Sequence, residues 1–210
     1  MNHTIEIVYG VENNMSNYPL CPSPDLSTKE RNFAFWENGF SDDEISRIKV
    51  IGDSLTLNQA IVDRGESNTS IRKSKVGWIS HDTNSSFIYD KLGYIGRMMN
   101  GEFFDLNLYG FIEDIQYTVY QSDDDKYNWH MDKGNLNAPP RKLSLVVQLS
   151  DPSEYEGGDF EFLVGPEPIT AKKEKGIVYA FPSYIIHRVT PITAGTRKSL
   201  VIWFCGDKFR

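Results

Sequence analysis

The sequence predicts an α+β chain that is mainly β: a double-stranded β-helix, or jelly roll, with N-terminal helices packed on one sheet. Three observations carry this. Downstream of residue 110, short strand-like runs recur between turn residues, as double-sheet β folds require. Upstream of it, two stretches carry apolar residues at helical spacing. The 210 residues suit one domain (1–210) with a substantial core.

Residues 1–30 are rich in Asn, Ser and Pro around Pro19, Pro22 and Pro24 and read as an irregular lead-in. Ser41-Asp42-Asp43-Glu44 has the form of a capping box, with Ser at the N-cap and Glu three residues on. Ile45, Ile48 and Leu55 continue at helical spacing, so a first helix is expected over about 42–57. Residues 63–70 are polar and loop-like, and Ile71–Ile79 reads as one strand. A second helix is expected over about 86–99, with Phe87, Leu92, Ile95 and Met98/Met99 inward, stopping at Asn100-Gly101. The strand-like runs that follow are Ile115–Tyr120, Trp129–Asp132, Leu143–Leu149, Asp159–Leu163, Gly176–Phe181, Ile185–Val189 and Arg197–Phe204, a core of cupin-like jelly-roll type over about 110–206. Turn residues separate them at Asp123–Asp125, Asn135–Pro140, Asp151-Pro152, Gly157-Gly158, Gly165-Pro166, Pro182 and Gly195, with Gly157-Gly158 read as a hairpin turn. No internal repeat or low-complexity tract interrupts this order.

Composition narrows the function classes. A net charge of −7 disfavours nucleic acid, whose binding leans on Lys and Arg contacts to phosphate. Nothing approaches the roughly 20 apolar residues of a membrane helix. The start Met1-Asn2-His3-Thr4-Ile5-Glu6 lacks the basic and apolar regions of a secretory signal. Cys21 and Cys205 make neither a zinc spacing nor a disulfide framework, and read as free thiols in a reducing, cytoplasmic compartment.

The chemistry concentrates in Tyr127-Asn128-Trp129-His130-Met131-Asp132 and a distant His187. On a strand, residues i and i+2 share a face, so His130 and Asp132 present an imidazole and a carboxylate side by side. Two His and one carboxylate make the facial triad of non-haem Fe(II) oxygenases, which leaves open positions on the metal. A lone His-x-Asp is usually chance or a surface hydrogen bond; this one leads into a polar loop near a strand end. Arg197 and Ser199 share a strand face with Val201 and Trp203. Either Arg197 pairs with a surface acid, or it sits inside the barrel and grips a carboxylate with its planar fork. A buried Arg without an anion is costly, which favours an anionic co-substrate beside the metal.

These residues carry a resemblance. The chain resembles the prolyl 4-hydroxylase-like Fe(II)/2-oxoglutarate oxygenases, including oxygen-sensing prolyl hydroxylases and bacterial PKHD-type hydroxylases. The likeness is strongest over about 115–204. Tyr120 and Tyr127 precede His130 by ten and three residues as in that family, RKLSLVVQLSDPSEYEGG resembles its strand and Gly-Gly turn, and HRVTPITAGTRKSL resembles its closing motif. Ile71–Ile79 resembles the strand after the family's mobile substrate loop.

The resemblance implies Fe(II) held by His130, Asp132 and His187, 2-oxoglutarate clamped by Arg197, and O₂ as the second co-substrate. Tyr120 and Ser199 would line the 2-oxoglutarate pocket, and L-ascorbate would restore Fe(II). The implied reaction is hydroxylation of prolyl residues in a peptide or protein. Two features depart from the family. Gln148 stands where the oxygen-sensing members place a carboxylate-binding tyrosine; an amide can donate a hydrogen bond in its stead. Three Asp replace a Gly-containing loop before His130, which bears on the substrate. Arg72, Trp78 and Tyr127 are candidate substrate residues; alternatively Trp78 is core and Arg72 a surface charge. The segment Asp63–Ser74 is expected to close over the peptide. Other readings are a hydroxylase of a free amino acid or another side chain, a non-catalytic cupin-like binding module, and a zinc hydrolase, for which no general base can be named.

Overall fold

A computed structural model describes residues 5–7, 31–60, 70–121, 124–134 and 140–207. The chain order is β1 (Ile5–Ile7), β2 (Ala34–Trp36), α1 (Asp42–Asp53), β3 (Asn58–Gln59), β4 (Arg72–Lys73), β5 (Lys75–Ile79), α2 (Ser86–Phe103), β6 (Leu108–Phe111), β7 (Ile115–Gln121) and β8 (Lys126–His130). Then come β9 (Arg141–Gln148), β10 (Tyr155–Gly157), β11 (Phe160–Phe162), β12 (Ile169–Thr170), β13 (Val178–Pro182), β14 (His187–Val189) and β15 (Ile192–Gly206). Among the described residues the strands form two antiparallel sheets facing each other, a jelly roll. The larger runs β1-β2-β13-β9-β15-β7-β5-β3, with β10 and β6 also paired to β15. The smaller runs β12-β11-β14-β8-β4.

Alternation along the central strands decides what lies on each side of the larger sheet. Leu200, Ile202 and Phe204 of β15, with Leu143, Leu145 and Val147 of β9, pack against α1 and α2. Arg197, Ser199 and Trp203, with Ser144, Val146 and Gln148, are buried on the opposite face, toward the smaller sheet. Aromatic packing among Phe160, Phe162, Tyr179 and Phe181 fills the space between the sheets beside His187.

The capping box at Ser41 forms: Glu44 N–H donates to Ser41 Oγ, and Ser41 N–H donates to the Glu44 carboxylate. Lys91 of α2 donates to that same carboxylate at 2.6 Å, tying the helices together. α2 lies close on the sheet because Gly96 has no Cβ; one there would run into the Phe204 ring.

Several expectations are corrected. α1 stops at Asp53, where Ser54 caps it, so Leu55 packs beyond the helix. α2 continues to Phe103, and Met98 is exposed while Met99 is buried. Ile71–Ile79 is two strands in different sheets: β4 pairs with β8 and β5 with β7, and Ser74 between them carries the chain across. Within the lead-in, Ile5–Ile7 forms a strand on β2. Gly157-Gly158 is not a hairpin turn. β10 pairs with β15 and β11 with β14, so the two glycines cross from one sheet to the other, both at positive φ. Residues 61–69, most of the expected lid, lie outside the described residues, as do Asp123 and residues 135–139. No helix among the described residues is long and apolar enough to cross a membrane.

Candidate functional site

His130 ends β8 and His187 opens β14, and antiparallel pairing sets the two opposite each other. Asp132 lies just past β8, where its N–H donates to the carbonyl of Ser183. Ligand atoms of the three side chains all fall within 4.8 Å of one another. His130 Nε2 is 3.6 Å from Asp132 Oδ1, and His187 Nε2 is 3.6 Å from Asp132 Oδ2. Among the described residues this is the one His/Cys/Asp/Glu group so arranged.

The ring orientations suit a divalent cation. His130 Nδ1 donates to the carbonyl of Asn128 at 2.8 Å, and His187 Nδ1 to that of Ile185 at 2.9 Å. A carbonyl only accepts, so both Nδ1 atoms carry a proton and both Nε2 atoms turn toward the carboxylate. Burial pushes His187 down to about 4, aided by neighbouring His130 and opposed by Asp132, so it is neutral at pH 7. Burial raises the Asp132 pKa, but the attraction of His187, which is cationic at the low pH where the carboxyl would take up its proton, and the hydrogen bond from Trp203 outweigh it, holding the carboxyl well below the usual range. Two imidazole Nε2 atoms and one carboxylate are the donor set that Fe(II) takes at such sites.

Sequence reasoning missed what holds Asp132. Its Oδ2 accepts from Ser144 Oγ at 2.9 Å and from Trp203 Nε1 at 3.0 Å, and Ser144 in turn meets Ser183 Oγ at 3.0 Å. The signal was present only as alternation: Ser144 shares a face with Gln148, and Trp203 with Arg197. Arg141 lies over the Trp203 ring at 3.5 Å and is ion-paired with Glu113.

The three candidate substrate residues all come beside this centre. Tyr127 stacks on His130, ring centroids 3.4 Å apart. Burial pushes its phenol up to about 12, so it stays protonated. Arg72 is buried, with its guanidinium 4.5 Å from the Tyr127 ring centroid and its Nε donating to Ser74. It is therefore no surface charge. Trp78 is 44% exposed, so it is not core; its ring lies 6.4 Å from that of Trp203.

On the same inner face of β15 as Trp203 sits Arg197, 1% exposed. Nη2 donates to Gln148 Oε1 at 2.5 Å, while Nε and Nη1 are buried without a partner. Its ring neighbour is Tyr120, opposite it on β7, whose phenol burial also keeps protonated. Ser199 is buried two residues along, opposite Gln148. Lys198 points the other way and pairs with Asp53. A buried guanidinium with two idle donors fits a carboxylate, which replaces the hydration that burial removed.

Residues 115–205 match the model of the 2OG-Fe(II) oxygenase superfamily. A PKHD-type hydroxylase of Prochlorococcus marinus is 34% identical over 164 residues, covering 75% of this chain and 72% of that protein. A prolyl-4-hydroxylase from Pseudomonas putida superposes with a TM-score of 0.66 at 19% identity, covering 84% of this chain and 94% of the other. A Trichoplax adhaerens prolyl hydroxylase, solved with a peptide fragment of the hypoxia inducible factor oxygen degradation domain, gives 0.71 at 17% identity, covering 83% and 84%. At those identities the structures speak for the fold.

Proposed function

Because the chain belongs to the 2OG-Fe(II) oxygenase superfamily, we propose that it hydroxylates prolyl residues of a peptide or protein. The observation that carries this is the pairing of a His130, Asp132, His187 ligand set with the unpartnered donors of buried Arg197. The PKHD-type relative supports a hydroxylation, and the choice of a prolyl substrate follows the two prolyl hydroxylases whose fold this chain shares. Bound Fe(II), with 2-oxoglutarate and O₂, supplies the oxidising chemistry that yields succinate and CO₂ and hydroxylates an unactivated C–H bond.

The protein supplies orientation and exclusion of water. His130, Asp132 and His187 hold the metal, with Ser144 and Trp203 fixing the carboxylate in one pose. Arg197 binds the far carboxylate of 2-oxoglutarate, in a pocket lined by Tyr120, Gln148 and Ser199. Tyr127, Arg72 and exposed Trp78 line the path of the peptide. L-Ascorbate keeps the iron reduced, and the enzyme works in the cytoplasm.

Succinate release and peptide mass are measured with Fe(II), 2-oxoglutarate and a proline-containing peptide. A gain of one oxygen on proline, tied to succinate, is expected, and His130→Ala should abolish both. Oxidation of free proline but never of peptide would replace the substrate reading. Near-normal turnover by His130→Ala would overturn the ligand assignment.

A further inference from the structure

Resting on the reading of Arg197 as the carboxylate-binding residue, we infer that Tyr155 donates its hydroxyl to that same carboxylate and that Gln148 positions it. Gln148 is buried between Arg197 and Tyr155. A guanidinium has donors only, so the amide oxygen must face it, as the 2.5 Å contact from Nη2 has it. The amide nitrogen is thereby turned to Tyr155, and Nε2 donates to the phenol oxygen at 3.4 Å. Tyr155 accepts at its oxygen, so its own proton remains to be given. Among the described residues no acceptor takes it.

Three donors therefore stand together without an acceptor: Arg197 Nε–H, Arg197 Nη1–H and Tyr155 O–H. A pocket with surplus donors and a fixed cation is built for an anion. The backbone brings the two side chains together. Tyr155 opens β10 opposite Gly195, two residues from Arg197. Gly158, at φ +60°, lies against both: a Cβ there would stand 3.2 Å from Arg197 Cδ and 3.3 Å from Tyr155 Cδ2. The nearby Lys173 does not compete as the cation, because it pairs with Asp159 at 2.8 Å and donates to the Gly157 carbonyl.

The test is calorimetric titration of the Mn(II)-loaded protein with 2-oxoglutarate and with 2-oxovalerate, which keeps the 2-oxo acid end and lacks the far carboxylate. Tyr155→Phe keeps the ring and removes only the hydroxyl. It should weaken 2-oxoglutarate roughly tenfold or more, the scale of a hydrogen bond to a charged group, and leave 2-oxovalerate unchanged. Arg197→Ala should show the same selectivity with a larger loss. An unaltered Tyr155→Phe beside a weakened Arg197→Ala would overturn the role of Tyr155 alone. No loss in either variant would overturn the carboxylate reading beneath it. Equal weakening of both ligands by Tyr155→Phe would make the phenol a packing residue and sink the proposal. Should Tyr155→Phe fail to fold, 3-fluorotyrosine at 155 gives the answer. Its ¹⁹F resonance should move with 2-oxoglutarate far more than with 2-oxovalerate; equal movement would overturn the inference.

Discussion

Replacing Ser144 by alanine removes one oxygen from the interior and, with it, half of the hydrogen bonding that pins Asp132 Oδ2. The carboxylate is buried and ionised, and its two described side-chain donors on that atom are Ser144 Oγ and Trp203 Nε1. A hydrogen bond to a charged group contributes about 1.5–3 kcal/mol. If that is lost when Asp132 must present itself to a cation, metal affinity falls roughly tenfold to hundredfold, the range seen when the supporting partner of a ligand is removed. Ser144→Ala is the cleaner variant, because Trp203→Phe also removes the indole on which Arg141 rests. Co(II) titration followed by visible absorption, against a competing chelator, reads the affinity directly. Stability of the metal-free protein supplies an independent check. The folded pKa of Asp132 is depressed, so its contribution is fully present above the ordinary carboxylate pKa of about 3.9 and is lost as pH falls through the folded value. The gap between parent and Ser144→Ala should therefore be full at neutral pH and close only in acid, as pH falls through the variant's own depressed Asp132 value. Co(II) affinity within twofold of the parent would refute the reasoning that the serine holds the ligand.

Three further outcomes are expected. Gly158→Ala puts a Cβ at positive φ against Ile192 and Arg197; it should cost on the order of 1–3 kcal/mol in urea unfolding and weaken 2-oxoglutarate binding, and an unchanged binding curve would separate the turn from the anion subsite. Lys198→Met should leave 2-oxoglutarate affinity untouched, because that side chain faces away and pairs with Asp53 at 2.6 Å; its stability loss should stay under about 1 kcal/mol, as for exposed ion pairs. His187 is held neutral down to about 4 while the unfolded chain takes up its proton near 6.5; the unfolded state then binds more protons, so the metal-free protein should lose stability as pH falls across that window, and a His187→Asn variant with the same pH slope would show that another group is responsible.

Local patterning alone makes much of this molecule legible in its sequence. The Ser41 capping box forms as read, because its partners are three residues apart and need nothing from the rest of the chain. Strand alternation put Arg197, Ser199, Val201 and Trp203 on one face of β15 and Leu200, Ile202 and Phe204 on the other, and the core obeys it. The His-x-Asp spacing put two ligands close together, although Asp132 lies past the end of β8 and is set there by its N–H to the Ser183 carbonyl. What the sequence left open were relations between distant segments. Ile71–Ile79 reads as one strand because its composition is continuous, yet β4 and β5 find partners in opposite sheets. Met98 and Met99 are indistinguishable by composition, and only the packing of α2 on the sheet buries one and exposes the other. Asp132 is held by side chains 12 and 71 residues away, and the oxygen-to-guanidinium, nitrogen-to-phenol setting of Gln148 depends on Arg197, 49 residues on. Period-two alternation tells which face a side chain takes. Which partner meets it there is set by inter-strand register, and register exists only once the sheets are assembled.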